Sequence, residues 1–117
     1  MQYMLLIIEP AGQRHERSEA EGRRLYERML RFGTDLKSRG VLVSSQSLQS
    51  DASGVRVSVR DGKSTLIDGP FAEAKEIVGG FFLIDCETRD QAVAIARECP
   101  AAAWATVEVR AFGPCFT

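Results

Sequence analysis

Apolar residues fill both alternating registers of the opening segment. Tyr3, Leu5 and Ile7 interleave with Met4, Leu6 and Ile8, which predicts a strand over residues 2–8 that is covered on both faces. Residues 9–17 read as a polar loop. Ser18, with Glu21 three positions later, predicts a capping box and a helix over about 19–39. Leu25, Met29, Phe32 and Leu36 draw its apolar stripe, Lys37 and Arg39 suit the last turn, and Gly40 suits the left-handed position beyond it. Val41–Val43 opens a second strand that continues towards Leu48. Val55, Val57 and Val59 alternate with Arg56, Ser58 and Arg60, Asp61-Gly62 is a hairpin signal, and Ser64–Ile67 is the return strand. Ile77–Cys86 is a further strand with apolar residues on both faces. Thr88 and Gln91 cap a second helix that buries Ala92, Val93, Ile95, Ala96 and Cys99, and residues 106–112 form the last strand.

The order strand, helix, strand, hairpin, strand, helix, strand is α+β. It is the ferredoxin-like βαββαβ pattern with an inserted β-hairpin. In that fold both helices lie on one face of an antiparallel sheet, and the two doubly apolar strands are the central ones. Two helices cover one face only. The other face needs an apolar neighbour, and a second copy of the sheet makes a homodimer; the inserted hairpin folded over that face is the alternative.

Size and charge narrow the classes. A chain of 117 residues makes one domain, residues 1–117, with enough core to fold without disulfides or metal. With 15 basic and 16 acidic residues, the net charge of −1 shows no basic excess, which argues against nucleic acid. The apolar run before Glu9 is too short for a signal peptide or a bilayer span, so no membrane association and a cytoplasmic location are expected. Cys86, Cys99 and Cys115 are odd in number and form no CxxC pair, which predicts three free thiols there. One histidine and no ligand spacing predict no metal, and no cofactor motif is present. Gly79-Gly80 lacks phosphate-loop spacing and reads as a bulge or a close backbone approach to a dimer partner.

The candidate chemistry gathers around Asp68-Gly69-Pro70-Phe71. Turn formation accounts for Asp68 by a side-chain bond two residues on, and for Gly69 by a positive φ. The functional alternative is a carboxylate base at a strand end, beside Phe71, Glu73, Lys75 and Glu76 at the rim of an inter-sheet cleft. Glu73 and Lys75 also suit a plain solvated loop. Glu108 and Arg110 alternate with core residues of the last strand and so point towards the second sheet. There Arg110 suits a carboxylate or enolate ligand, or else simply pairs with Glu108. Tyr26 is a hydrogen-bond donor or a packing residue of the first helix. His15 reads as a solvated loop residue, and Trp104 as a pocket wall or a gap filler.

The motif, its sequel Val78-Gly79-Gly80-Phe81-Phe82-Leu83-Ile84, the opening Tyr3-Met4-Leu5-Leu6-Ile7, the turn Arg60-Asp61-Gly62-Lys63, Glu98-Cys99-Pro100-Ala101-Ala102 and the closing Thr106-Val107-Glu108-Val109-Arg110 together resemble the YCII-related proteins, in the branch named for Asp-Gly-Pro-Phe. The resemblance covers nearly the whole chain and implies a dimeric α+β barrel with two sheets facing each other. It also implies a His-Asp pair in some enzymes of the family, with the histidine about four turns before the glycine that ends the first helix. Leu25 and Tyr26 occupy that place here, and His15 lies before the helix, so that chemistry does not carry over. Members of the branch are often encoded beside extracytoplasmic-function sigma factors, which implies a regulatory context. The expectation is a small organic acid or carbonyl compound bound in an inter-sheet cleft, with lyase- or isomerase-type proton transfer by Asp68. The rival is a non-catalytic regulator or adaptor, marked by an apolar patch outside the dimer interface.

Overall fold

The computed structural model describes residues 1–116. The chain runs β1 (Gln2–Pro10), α1 (Glu19–Ser38), β2 (Leu42–Ser47), β3 (Val55–Arg60), β4 (Lys63–Asp68), β5 (Glu76–Asp85), α2 (Arg89–Glu98) and β6 (Thr106–Ala111), with short 3-10 turns at Gln13–Glu16, Asp51–Ser53 and Pro100–Ala103. Four strands make one antiparallel sheet in the order β2-β5-β1-β6, and β3 pairs with β4 separately. This is the ferredoxin-like order with β1 and β5 in the middle, and the hairpin is the insertion.

Local signals set the elements. Ser18 Oγ accepts from the Glu21 backbone N–H at 3.1 Å to start α1, and Thr88 with Gln91 forms a reciprocal capping box on α2. Gly40 takes φ +75° after α1. Asp61 and Gly62 both hold positive φ, the two-residue hairpin turn that their sequence asks for. Tyr3, Leu5 and Ile7 of β1 and Phe82 and Ile84 of β5 are buried beneath the helices. Phe32 of α1 meets Phe82 edge-on, with ring centroids 5.1 Å apart. Alanines on α2 (Ala92 and Ala96) are buried in the same core, with Cys99 just beyond the helix. Burial pushes the Cys99 thiol pKa up, so it stays protonated and behaves as a small apolar group.

The opposite face of the sheet has no cover in one chain. Met4, Leu6 and Ile8 stand there in register with Leu83, Phe81 and Val78 on one side and with Arg110, Glu108 and Thr106 on the other. The hairpin does not fold over this face. It forms an arm whose residues are almost all exposed. Val55, Val57, Val59 and the cross-strand Leu66 share one side of it, each at least half exposed.

The base of the arm corrects the turn reading of Asp68. Its side chain makes no hydrogen bond to another described residue, and Gly69 does not take a positive φ. Asp51 supplies the carboxylate instead: its Oδ2 accepts from the Phe71 backbone N–H at 3.1 Å, and the Gly69 N–H donates to Gly54 O at 2.8 Å. Glycine is required at 69 because a Cβ there would lie 1.7 Å from the Asp51 carbonyl oxygen. The Gly69–Pro70 peptide is cis. Phe71 is clamped by the Arg56 guanidinium 4.1 Å above its ring. Gly69→Ala is expected to cost about 1–3 kcal/mol through this collision, confined to the arm. Hydrogen exchange should show β3 and β4 amides opening at least about tenfold faster while β1 and β5 are unchanged; equal protection of the arm would refute the account.

Candidate ligand-binding site

The apolar stripe of α1 splits into two parts. Phe32 and Leu36 are buried in the core, but Leu25 and Met29, nearer the helix start, are only half-buried. The helix comes close to the sheet at Gly33, where a Cβ would touch the Phe82 ring at 3.4 Å and Ser45 Oγ at 3.9 Å. A wedge-like cavity of about 570 Å³ lies between helix and sheet, lined from Arg17 and Gly22 at the helix start to Lys37 near its end. That is within the usual range for a small-molecule site.

Glycines make the floor. Gly79 and Gly80 of β5 line the wedge together with Ile7 and Phe82. The β1–β5 register skips Gly79 between Ile7 and Ile8, so the bulge reading of this pair holds. The close approach it permits is within the chain. A Cβ on Gly79 would lie 1.8 Å from Glu9 Oε1, and one on Gly80 2.7 Å from the Gln46 carbonyl oxygen. A side chain at either position would collide with the Glu9 carboxylate or with the β2 backbone.

Glu9 and Arg14 stand at the same end of the wedge. Arg14 Nε donates to Glu9 Oε2 at 2.9 Å and Nη2 to Oε1 at 2.6 Å, a two-pronged pair. The remaining donors reach Leu48 O at 2.8 Å and Gly79 O at 3.4 Å. Glu9 is 6% exposed, the one buried charged residue among those described. The pair therefore ties the segment after β1 to the end of β2 and to the β5 bulge. Residues 9–17, read from sequence as a polar loop, in fact begin inside β1 and carry this buried ion pair. Nothing in the local sequence announces it; Gly79 was the available signal.

Trp104 forms a side wall. Gln13 Nε2 donates to its carbonyl at 2.7 Å, and the Arg28 guanidinium lies 5.3 Å from its ring centroid. Tyr26 lines the outer rim and is half exposed. Behind Met29, Cys99 Sγ approaches Met29 Sδ at 4.0 Å.

The other sequence candidates lie elsewhere. Asp68 is exposed at the end of β4, Glu73 and Lys75 are exposed on the following connection, and none of the three lines the wedge. Phe71 lines a second, shallower hollow at the base of the arm. Arg110 and Glu108 share the open sheet face, 3.9 Å apart and largely exposed, so their mutual attraction contributes little. Neither Asp68 nor Arg110 lines the wedge or the hollow at the base of the arm. His15 is exposed.

A model of the YCII-related domain matches residues 1–113. The chain belongs to the YCII-related family. An uncharacterised protein of Rhizobium meliloti (strain 1021) is 51% identical over 37 residues, which is 32% of this chain and 30% of that relative's length. The YCII-related fold is an α+β fold, as found here, and the wedge beneath α1 is a feature of this chain's own residues.

Arg14→Met should leave Glu9 buried without its partner and cost about 3 kcal/mol, the lower end for breaking a buried pair because Arg14 is partly exposed. Combining it with Glu9→Gln should recover part of the loss. Chemical denaturation of the two single variants and the double variant measures this; a loss below about 1 kcal/mol for Arg14→Met would show that the tie does not hold the structure.

Proposed function

We propose that this YCII-related chain binds a small organic molecule in the wedge beneath α1 and works as a homodimer joined through the open sheet face. The observation that carries the binding reading is the wedge itself. It has a floor of glycines, apolar walls from Leu25, Met29, Phe82 and Trp104, and polar groups at its rim. Proton transfer on a bound acid or carbonyl compound is the enzymatic form of the same reading, and it needs a base at the ligand. Glu9 is the carboxylate on the cavity wall, and two Arg14 bonds hold it. Asp68 stands outside on the arm, and Arg110 on the open sheet face. Binding is therefore the reading adopted.

The homodimer is supported by the uncovered row Met4, Leu6, Ile8, Phe81 and Leu83, which a second sheet would bury. The Asp68–Phe71 segment supports a place in the Asp-Gly-Pro-Phe branch. Three free cysteines suit a cytoplasmic location, and no helix among the described residues is long and apolar enough to cross a membrane. The exposed apolar side of the arm favours a second reading, an adaptor that docks a regulatory partner, in keeping with a sigma-factor context. Sedimentation equilibrium at micromolar concentration is expected to give twice the chain mass, and Leu6→Lys to give the monomer. Val57→Lys on the arm separates the readings: a weakened dimer assigns the arm to the homodimer, and an intact one leaves it for another partner. A wild-type monomer would overturn the dimer.

The chain has a single tryptophan, and it lines the wedge, so its emission reports occupancy. A Cβ on Gly22 meets no atom within 4 Å, which gives a way to fill the wedge without collision. Gly22→Phe should fold at least as well as the wild type, since glycine inside a helix costs about 0.5–1 kcal/mol relative to alanine. It should also abolish any ligand-induced change in Trp104 emission. An undiminished response in this variant would place the ligand elsewhere.

A further inference from the structure

We infer that the ligand is an elongated amphipathic anion whose head is held by Arg17, with its apolar part along Leu25 and Met29. This rests on the wedge as the binding site and names what it selects.

The charges lining the wedge are Glu9, Arg14, Arg17 and Lys37. Glu9 and Arg14 satisfy each other through two hydrogen bonds. Arg17 and Lys37 make no ion pair or side-chain hydrogen bond with another described residue, whereas Arg23 and Arg39 both hold carboxylates. The uncompensated charge facing the wedge is therefore wholly positive. Arg17 is half-buried and Lys37 exposed, so Arg17 is the less hydrated of the two and interacts more strongly with an anion.

The lining sets the orientation. The helix approaches the sheet at Gly33 and Phe82, and the lining runs from Arg17 and Gly22 at the start of the helix to Lys37 near its end. From Gly22 to Gly33 is 11 residues, roughly 16 Å of helix, lined on one side by Leu25 and Met29. An anionic head set among Leu25, Met29 and Phe82 would lose its water with no partner. Beside Arg17 it meets a half-buried guanidinium able to give two parallel hydrogen bonds, against the exposed ammonium of Lys37. A chain or narrow ring system fills the interior and leaves a carboxylate, sulfonate or phosphate at Arg17.

The test uses three probes with the same eight-carbon tail: octanoate, octan-1-ol and octylamine, which is protonated at neutral pH. Each is titrated into the full chain by calorimetry and followed by Trp104 emission. Octanoate is expected to bind about ten- to hundred-fold more tightly than the other two, the range of one charge-assisted interaction. Arg17→Met should remove that advantage while the octan-1-ol affinity stays constant, and Lys37→Met should keep it. Thermal melting of both variants should match the wild type, because neither side chain holds another described residue. Equal affinity for octanoate and octan-1-ol, or an advantage that survives Arg17→Met or disappears in Lys37→Met, would overturn the assignment of charge and orientation while leaving the cavity standing. If the probes bind Gly22→Phe as tightly as the wild type, or if none of the three binds the wild type, the wedge itself is not their site, and the inference falls with it.

Discussion

The buried pair between Glu9 and Arg14 is the interaction on which the rest of this architecture turns. A carboxylate taken out of water must be compensated, and here both oxygens are bound by one guanidinium. The geometry demands space above β5, and Gly79 supplies it by having no side chain. In return Arg14 reaches Leu48 at the end of β2 and Gly79 in the bulge. One side chain thus joins three strands at one end of the sheet. Without that tie, this end of the sheet would be held by edge ladder bonds alone.

The same glycines explain why there is a cavity at all. An amphipathic helix on a sheet normally packs along its whole stripe. Here Leu25 and Met29 line a cavity whose sheet side includes Gly79 and Gly80, positions with no side chain to interdigitate with. At Gly33 the missing side chain is on the helix, and the Phe82 ring packs there. Small residues thus stand on both walls, on the sheet at Gly79 and Gly80 and on the helix at Gly22 and Gly33. A wedge of fixed shape follows from residue size, without any need for the helix to move.

Much of the fold was legible because its signals are local. Ser18 and Thr88 start helices through bonds to residues three positions away, and Asp61-Gly62 makes a two-residue turn. The double apolar alternation of β1 and β5 placed them at the centre of the sheet. The site was not legible, because it is made by residues distant in sequence. Arg17 and Trp104 come together only when α1 and the Pro100–Ala103 turn pack on the same side of the sheet. Glu9 and Gly79 are neighbours only through the β1–β5 register. Asp68-Gly69-Pro70-Phe71 drew attention as a compact motif, yet its glycine answers to the Asp51 backbone and its phenylalanine to Arg56. Four of the seven sequence candidates (Asp68, Phe71, Glu73 and Lys75) lie in or beside that motif and two more (Glu108 and Arg110) on the last strand, all outside the wedge, whereas Tyr26 lines it.

The two faces of the sheet also carry different duties, and their separation follows from strand alternation. Ile7 and Glu9 face the wedge, while Leu6 and Ile8 face the open side. A second copy seated on the open face would bury Leu6 and Ile8 without entering the wedge, so ligand and partner do not compete for the same surface. They are nevertheless adjacent along one strand. The bulge at Gly79 sits between Val78, exposed on the open face, and Gly80 on the cavity floor. Any repacking of the open face that shifted Val78 would be transmitted through two peptide units to the carbonyl that Arg14 and Leu48 share. The geometry would thus give a partner on the open face and the cavity one common element, the β5 bulge, which Arg14 bonds directly.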